Sequence, residues 1–208
     1  MAILATAVTY CLSEVIGWQT GVVAGASIFG VGIRKNYRNG GSTYAKGAKG
    51  ERRTARHLAP LSWCGFGWWA VIHDRAVKGA NLDHAVVSRR GPKYIDTKSW
   101  LSESSTLEIR NGELRSGGYS QTQALKTVLY EASCLAQVLG EPAKAIVAVQ
   151  GARVPGGRRD IHVAGGTVTV IQASELRRYL RSLPVIPGWT RKQVRAAARL
   201  IKQQLPPA

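Results

Sequence analysis

The sequence has 208 residues, enough for one compact domain with an appended segment, and 45% of them are hydrophobic, so a core can form. The formal net charge of +17 indicates a polyanionic partner, either nucleic acid or an anionic membrane surface. The three cysteines, Cys11, Cys64 and Cys134, form no CxxC pair, and the four histidines show no HxxxH spacing. These patterns disfavour a disulfide framework and a zinc-hydrolase site, and they indicate an intracellular protein.

The first 33 residues are almost uncharged, since Glu14 is their only charged side chain. Residues 15–33 carry no charge and number 19, close to the length of about 20 that spans a bilayer. The basic run RKNYR follows at once and favours the cytoplasm for the rest of the chain. We therefore expect a single N-terminal membrane anchor, and the alternative is a glycine-rich helix buried in a soluble fold. The four-residue spacing of Gly17, Gly21 and Gly25 would permit a homo-oligomer.

Residues 34–46 are polar and contain glycine, which is typical of a linker. A helix is predicted from about Ala48 to Leu58, with Pro60 ending it. Three strands are predicted next, and they are Trp68–His73, Asp83–Ser88 and Lys93–Trp100. The segment HDRAVKGAN is predicted to be a loop, and Arg89-Arg90-Gly91 a tight turn.

The second half of the chain begins with Asn111-Gly112 between two alternating runs, which predicts a β-hairpin. A long helix is predicted from Gln121 to Leu139, because its apolar residues recur with the helical period and Gly140 follows. The segments KAIVAVQ (Lys144–Gln150) and Thr167–Ile171 are predicted strands, with GARVPGGRRD as a loop between them. Two basic helices follow, and their predicted N-caps are Ser174 and Thr190.

This order of elements predicts an α/β fold with a mixed central β-sheet flanked by helices. The apolar helix would precede the sheet, and the basic helices would follow it. The predicted segments are an apolar anchor (1–33), a linker (34–46), a catalytic domain (47–172) and a basic helical tail (173–208).

The stretch from Asn81 to Lys98 carries the chemistry. Asp96 and Lys98 are two residues apart on one strand and so share a face. The tight turn makes the strand of Asp83 an antiparallel neighbour, so Asp83 and Asp96 can converge at the open end of the hairpin. Carboxylates bind hard divalent cations such as Mg²⁺, and the backbone carbonyl of Thr97 could supply another oxygen. A nearby lysine can stabilise charge on a reacting phosphate.

Three further points bear on this cluster. Glu51 would add a third carboxylate from the preceding helix, although nothing local in the sequence directs it there. The competing interpretation is that these acids are solvated positions on an exposed sheet face. The apolar neighbours of Asp83 and Asp96 favour burial instead, and buried acids need partners or ions. His84 points to the opposite face, which favours a hydrogen-bonded structural histidine over a general base.

Several segments, in this order, resemble the nuclease-related domain, a branch of the PD-(D/E)xK nuclease superfamily. The resemblance covers roughly residues 45–150 and implies a restriction-endonuclease-like fold. It implies catalytic roles for Glu51, Asp83, Asp96 and Lys98, with Gln123 lining the site. The oxygen ligands themselves predict Mg²⁺ or Mn²⁺, held by Asp83, Asp96, Glu51 and the Thr97 carbonyl. The matching segments are GAKGE (Gly47–Glu51), WAVIHD (Trp69–Asp74), NLDHAVV (Asn81–Val87), IDTKSW (Ile95–Trp100) and QALKTVLYEASCLAQVL (Gln123–Leu139).

Basic residues outside this cluster are the second functional feature. Because no base-reading motif is recognisable, their contacts to phosphates would be independent of sequence and sensitive to salt. Alternatively, these residues form a surface that keeps the protein soluble, or the tail lies on anionic lipid. The predicted contacts are Arg52, Arg53, Arg177, Arg178, Arg181, Arg191, Lys192 and Arg195.

Together these features predict a metal-dependent nuclease that acts on nucleic acid, with DNA the expected substrate, in DNA processing or in defence. One alternative is a non-catalytic nucleic-acid-binding module with a nuclease-like fold. Three acids beside a phosphate would repel it unless a cation neutralises them, which argues against that module. The other alternative is a membrane-associated scaffold.

Overall fold

The computed structural model describes residues 47–63, 66–77, 79–100 and 105–208. The predicted apolar helix with its membrane anchor and the predicted linker lie outside these residues. Among the helices that are described, none is long and apolar enough to cross a membrane. Residues Lys49–Ala208 form a compact unit, and the fold below is that of this unit.

The centre of the unit is a six-stranded mixed sheet. Its strands are β1 (Trp69–Val77), β2 (Ala80–Ser88), β3 (Gly91–Lys98), β7 (Lys144–Val149), β8 (Arg158–Val163) and β9 (Gly166–Gln172). They lie in the order β1-β2-β3-β7-β9-β8. The first three strands are antiparallel, β3, β7 and β9 run parallel, and β8 returns antiparallel to β9. The prediction of a mixed central sheet is confirmed.

A small second sheet contains β4 (Glu108–Arg110), β5 (Glu113–Ser116) and β6 (Tyr119–Ser120). Asn111 and Gly112 connect β4 to β5, and their φ angles of 52° and 78° are the positive values that a tight hairpin turn requires. The hairpin prediction is therefore confirmed.

Helices cover both faces of the central sheet. They are α1 (residues 47–63), α2 (Thr122–Leu139), α3 (Leu176–Ser182) and α4 (Arg191–Gln204). Helices α2 and α4 pack on one face, in a core that includes Tyr94, Val128 and Ile201. Helices α1 and α3 pack on the other face, in a core that includes Leu58 and Ile95. The two basic helices therefore lie on opposite sides of the sheet.

The local predictions fail at four places. Pro60 does not end α1, which continues to residue 63 with Leu61 fully buried. The predicted loop HDRAVKGAN instead extends β1 to Val77, paired with β2. The predicted loop GARVPGGRRD contains the start of β8, which pairs with β9 over six residues. Ser174 lies within a 3-10 turn (Ala173–Glu175), and α3 has no side-chain cap. By contrast, Thr190 and Gln193 form the capping box of α4.

Candidate active site

Strand β3 carries an acid and a base on the face that α2 covers. Tyr94 packs in the core beneath α2, whereas Ile95 faces the opposite core. Because side chains alternate along a strand, Asp96 and Lys98 lie on the same face as Tyr94. Asp96 is only 4% exposed, and its Oδ1 accepts a hydrogen bond of 3.0 Å from Lys98 Nζ. Its other oxygen, Oδ2, is buried and has no hydrogen-bond partner among the described residues. A buried carboxylate oxygen of this kind is suited to a cation.

Asp83 lies where β2 stops pairing with β3. The ladder runs from the Ser88–Gly91 pair to the His84–Ile95 pair and ends there. Beyond it, the backbone N–H of Thr97 donates to Asp83 Oδ2 at 2.9 Å. A side-chain oxygen thus takes the place of a backbone acceptor and fixes the Asp83 carboxylate beside β3.

The two aspartates affect each other's ionisation. Burial and the negative charge of Asp96 raise the pKa of Asp83 to about 7, although the Thr97 hydrogen bond opposes this. Burial also raises the pKa of Asp96, against the opposing effect of Lys98. For Lys98, burial alone would lower the pKa, but Asp96, Asp83 and Glu131 raise it above its usual value. Both acids are therefore easier to protonate than exposed aspartates, whereas Lys98 is held in its charged form.

Helix α1 brings Glu51 to the same end of the sheet. At Gly50, a Cβ atom would lie 2.6 Å from Ser99 Oγ, closer than real side chains approach, so α1 lies close to the residue that follows β3. Burial, then Asp74 and Asp96, raise the pKa of Glu51, which shows that Glu51 belongs to the same electrostatic cluster.

Gln150 holds α1 and β3 together. Its backbone N–H donates to the Lys98 carbonyl at 2.8 Å, and its side-chain Nε2 donates to Thr54 Oγ1 at 3.1 Å. Both side chains are buried. Because Thr54 is one turn beyond Gly50, this pair sets the depth at which α1 presents Glu51.

Residues 46–154 match the family model described as the nuclease-related domain. The chain belongs to the nuclease-related domain family. The match covers just over half of the chain and includes all five residues predicted to be catalytic, whereas α3 and α4 lie outside it. Membership of the PD-(D/E)xK superfamily is consistent with the match and with the mixed sheet. No match was found among curated proteins or among solved structures.

Glu131 of this nuclease-related domain is a site residue that the sequence reasoning missed. It is buried on α2 and accepts a hydrogen bond of 2.9 Å from the Tyr94 hydroxyl. Burial raises its pKa, the Tyr94 hydrogen bond lowers it, and the charge of Asp96 raises it further. The available signal was a single acid on the apolar stripe of α2, between Val128 and Ala132.

Gln123 is exposed in the first turn of α2. Because β3 and β7 are parallel, the chain between them must return along the sheet, so α2 runs opposite to β3. From Tyr94 to Lys98 the strand covers about 13 Å. From its partner Glu131 back to Gln123 the helix covers about 12 Å. Gln123 is thus level with Lys98, and its role in the site stays a prediction.

His84 is buried on the other face of the sheet. Its Nδ1 lies 2.8 Å from Nδ1 of His73, so one ring donates and the other accepts. Burial, then the neighbouring His73, lower the pKa of His84 to about 3. A neutral histidine in a cross-strand pair agrees with the predicted structural role.

The predicted metal ligands are only partly brought together. Within the described part of the chain, no three His, Cys, Asp or Glu side chains are grouped closely enough to hold a metal ion. The two aspartates and the unpartnered Asp96 oxygen still offer the oxygen donors that a hard cation prefers. The Thr97 N–H points towards β2, and a strand residue directs its N–H and C=O to the same edge, so its carbonyl faces β2 as well.

The predicted nucleic-acid contacts lie on three helices, two on one face of the sheet and one on the other. Arg52 and Arg53 are exposed on α1. Arg177, Arg178 and Arg181 are exposed on α3, and Arg178 forms an ion pair of 2.9 Å with Glu175. On the opposite face of the sheet, the face of Asp96, α4 exposes the remaining three: Arg191, Lys192 and Arg195.

Proposed function

We propose that this nuclease-related domain hydrolyses phosphodiester bonds of nucleic acid, with DNA the expected substrate, and that it requires Mg²⁺ or Mn²⁺. The observation that carries the proposal is the buried Asp96 carboxylate, which binds Lys98 through one oxygen while the other has no partner among residues that the structure describes. Because burial without a partner destabilises a carboxylate, its retention beside Asp83 favours a role for a cation.

Asp83, Asp96 and the Thr97 carbonyl would hold the cation, and Glu51 would complete its surroundings from α1. When bound, a divalent cation polarises the phosphate and acidifies a water molecule. Its positive charge would also offset the repulsion between the two aspartates.

Lys98 and Glu51 suit different steps. Lys98 is held by Asp96 but remains 32% exposed, so its ammonium group can reach a phosphate oxygen. Its raised pKa keeps it protonated, which favours stabilisation of developing negative charge over proton abstraction. The pKa of Glu51 is raised by burial and by Asp74 and Asp96, which favours Glu51 as the acceptor of a proton from water.

The basic residues would hold the substrate. With a net charge of +17 and eight predicted phosphate contacts on α1, α3 and α4, the chain would bind through the phosphate backbone, and this binding would weaken steeply with salt. We further propose a cytoplasmic location with anchoring through residues 15–33, and self-association through the glycines of that segment. We also propose a role in DNA processing or defence.

The test is cleavage of supercoiled plasmid by the full chain with Mg²⁺, with Mn²⁺ and with EDTA. Asp96→Asn and Lys98→Met should each lower the rate at least 100-fold, and EDTA should abolish cleavage. Glu141→Gln is the control, because Glu141 is an exposed acid at the far end of α2. Equal rates for all variants would refute the assignment. Tight binding without cleavage, unaffected by Asp83→Ala and EDTA, would favour the non-catalytic module instead.

A further inference from the structure

Two arginines stack on Trp68, at the end of the sheet opposite the carboxylates. The Trp69–Ser88 and Ser88–Gly91 pairs place the start of β1 beside the β2–β3 turn. There, the guanidinium carbon of Arg89 lies 4.9 Å from the centre of the Trp68 ring, and that of Arg191 lies 4.6 Å from it. Stacking on a ring orients a guanidinium group and leaves its N–H groups free to bind phosphate.

This group of cations lacks neutralising acids among the described residues. No carboxylate in the described part of the chain forms an ion pair with Arg89, Arg191 or Arg195, and Arg89 Nε is buried there without an acceptor. Beside them, burial, then Arg89 and Arg181, lower the pKa of Arg90. Cations that converge without acids are typical of a site for a polyanion.

An exposed aromatic ring adjoins the arginines. Phe66 is 78% exposed and holds a positive φ of 46°. The next residue, Gly67, lies against Arg195, whose Nη2 would be 3.1 Å from a Cβ at that position. Aromatic rings beside basic side chains are the surfaces on which single-stranded nucleic acids stack their bases.

Helix α4 connects this end of the sheet to the carboxylates. Arg191, Arg195, Arg199 and Lys202 are exposed and spaced four, four and three residues apart, so they line one side of the helix. The first residue of the helix, Arg191, lies over the Trp68 ring. Just beyond the end of the helix, the Ala76 N–H donates to the Pro206 carbonyl at 2.9 Å and the Ala208 N–H donates to the Asp74 carbonyl at 3.2 Å. His73 and Arg75 pair with His84 and Leu82, so Asp74 lies opposite Asp83 and the basic stripe ends near the candidate active site.

We propose that Trp68, Arg89, Arg191 and Arg195 form an anchor for single-stranded nucleic acid, with Phe66 stacking on a base and α4 guiding the phosphates towards the carboxylates. From Gly91 to Asp96 the sheet extends about 17 Å. The strand would have to cover at least this distance between the anchor and the bond to be cut. The anchor's place in catalysis rests on the proposed nuclease function, whereas its binding of nucleic acid does not.

A nucleic-acid strand fits these observations better than a lipid surface does. The cations form a line along α4 that leads to a cluster of acids, and an anionic membrane would be repelled at that end. A strand can instead place its phosphates on the arginines and its reacting phosphate at a cation-bearing site. Anionic vesicles therefore serve as the competing probe.

The experiment measures binding of the full chain to a fluorescein-labelled 20-nucleotide single strand in EDTA, by anisotropy from 50 to 200 mM salt. Arg89→Gln with Arg191→Gln should raise Kd at least tenfold and reduce the slope of log K against log salt by about 1.4, the value for two phosphates on a single strand. The control removes the same charge at Arg153→Gln with Arg159→Gln, both exposed on the β8 side of the sheet, and should change Kd less than twofold.

Two further variants separate stacking from charge. Phe66→Ser should raise Kd several-fold without changing the salt slope, because stacking is independent of counterions. Arg191→Lys keeps the charge but loses the planar group on Trp68, so it should weaken binding less than Arg191→Gln. Because Arg191 is exposed at the start of α4, Arg191→Lys and Arg191→Gln test the anchor even if a change at the part-buried Arg89 disturbs folding.

Three outcomes would overturn the anchor. These are an unchanged Kd in the Arg89 and Arg191 variants, an equal loss in the control, and loss of binding to phosphatidylserine-containing vesicles with oligonucleotide binding intact. The proposed nuclease function is judged separately, by cleavage with Mg²⁺. If the wild-type protein does not cleave nucleic acid but the anchor variants bind the oligonucleotide more weakly than wild type does, the nuclease proposal fails and the anchor proposal stands.

Discussion

The carboxylate of Asp83 accepts the backbone N–H of Thr97 at 2.9 Å, and Thr97 is the residue between Asp96 and Lys98. This bond continues the β2–β3 ladder by one step with a side chain, because backbone pairing ends at His84 and Ile95. Asp83 therefore has two roles, since it joins the strands and brings a second negative charge to Asp96.

The two roles of Asp83 can be separated by substitution. Asp83→Asn keeps an oxygen acceptor for Thr97 but removes the charge, so we expect stability at pH 7.5 equal to or above wild type and a loss of cleavage of about 100-fold or more. Asp83→Ala also leaves the Thr97 N–H without its acceptor, which should cost about 1–3 kcal/mol. Urea unfolding and plasmid cleavage measure the two effects, and equal stability of both variants would contradict the bridging role.

Stability should depend on pH through the same carboxylate. Its folded pKa, about 7, is above its ordinary value of 3.8, so the folded state holds the proton more tightly. This contribution is fully present below pH 3.8 and is lost as pH rises to about 7. His84 acts in the opposite sense, because its folded pKa of about 3 lies below the ordinary 6.5. The His84 contribution is the same in wild type and Asp83→Asn, so it cancels in the difference between their unfolding free energies. As pH rises from 4 to 7, wild type should lose stability relative to Asp83→Asn.

Cation binding should oppose this loss. Mg²⁺ should raise the Tm of wild type more at pH 8 than at pH 5, because the aspartates must ionise to bind it. Asp96→Asn should show little or no shift at either pH. Differential scanning fluorimetry with and without Mg²⁺ measures both, with Glu141→Gln as the matched control. An equal Mg²⁺ shift in wild type and Asp96→Asn would mean that the cation binds elsewhere.

Gly50 should be intolerant of a side chain. In Gly50→Ala the new Cβ would lie 2.6 Å from Ser99 Oγ and 3.4 Å from Thr97 Cγ2, so we expect α1 to move away with Glu51 unless the Ser99 hydroxyl turns aside. We expect cleavage to fall about tenfold or more although alanine favours helix formation, and Ser99→Ala in the same chain should restore part of it. Gly47→Ala is the matched control, since its Cβ would meet nothing within 4 Å of the described structure. Equal activity of the two alanine variants would contradict the close approach.

The Tyr94–Glu131 hydrogen bond yields a further prediction. Tyr94→Phe leaves the buried Glu131 carboxyl without its donor and should destabilise the fold by about 1–3 kcal/mol. Glu131→Gln keeps an acceptor for Tyr94 and removes a charge whose burial is unfavourable, so it should be close to neutral in stability. A double-mutant cycle in urea measures the coupling, and additive effects would rule it out.

The sequence by itself determined the features that depend on local chemistry. Asn111-Gly112 required positive φ angles and formed the predicted hairpin, and Gly140 ended α2 in the left-handed conformation. Thr190 and Gln193 formed a capping box within three residues of each other. The two-residue spacing of Asp96 and Lys98 likewise fixed their shared face before any fold was known.

Only the tertiary structure decided the contacts between residues far apart in the chain. Residues 73–77 of the predicted loop became strand because β2 lay beside them, and no local pattern encodes that neighbour. The position of Glu51 depends on Gly50 meeting Ser99 across two elements. The carboxyl group of Glu131 lies beside the candidate site only because α2 packs over Tyr94. Sequence spacing sets directions within one element, whereas distances between elements follow from how the whole core packs.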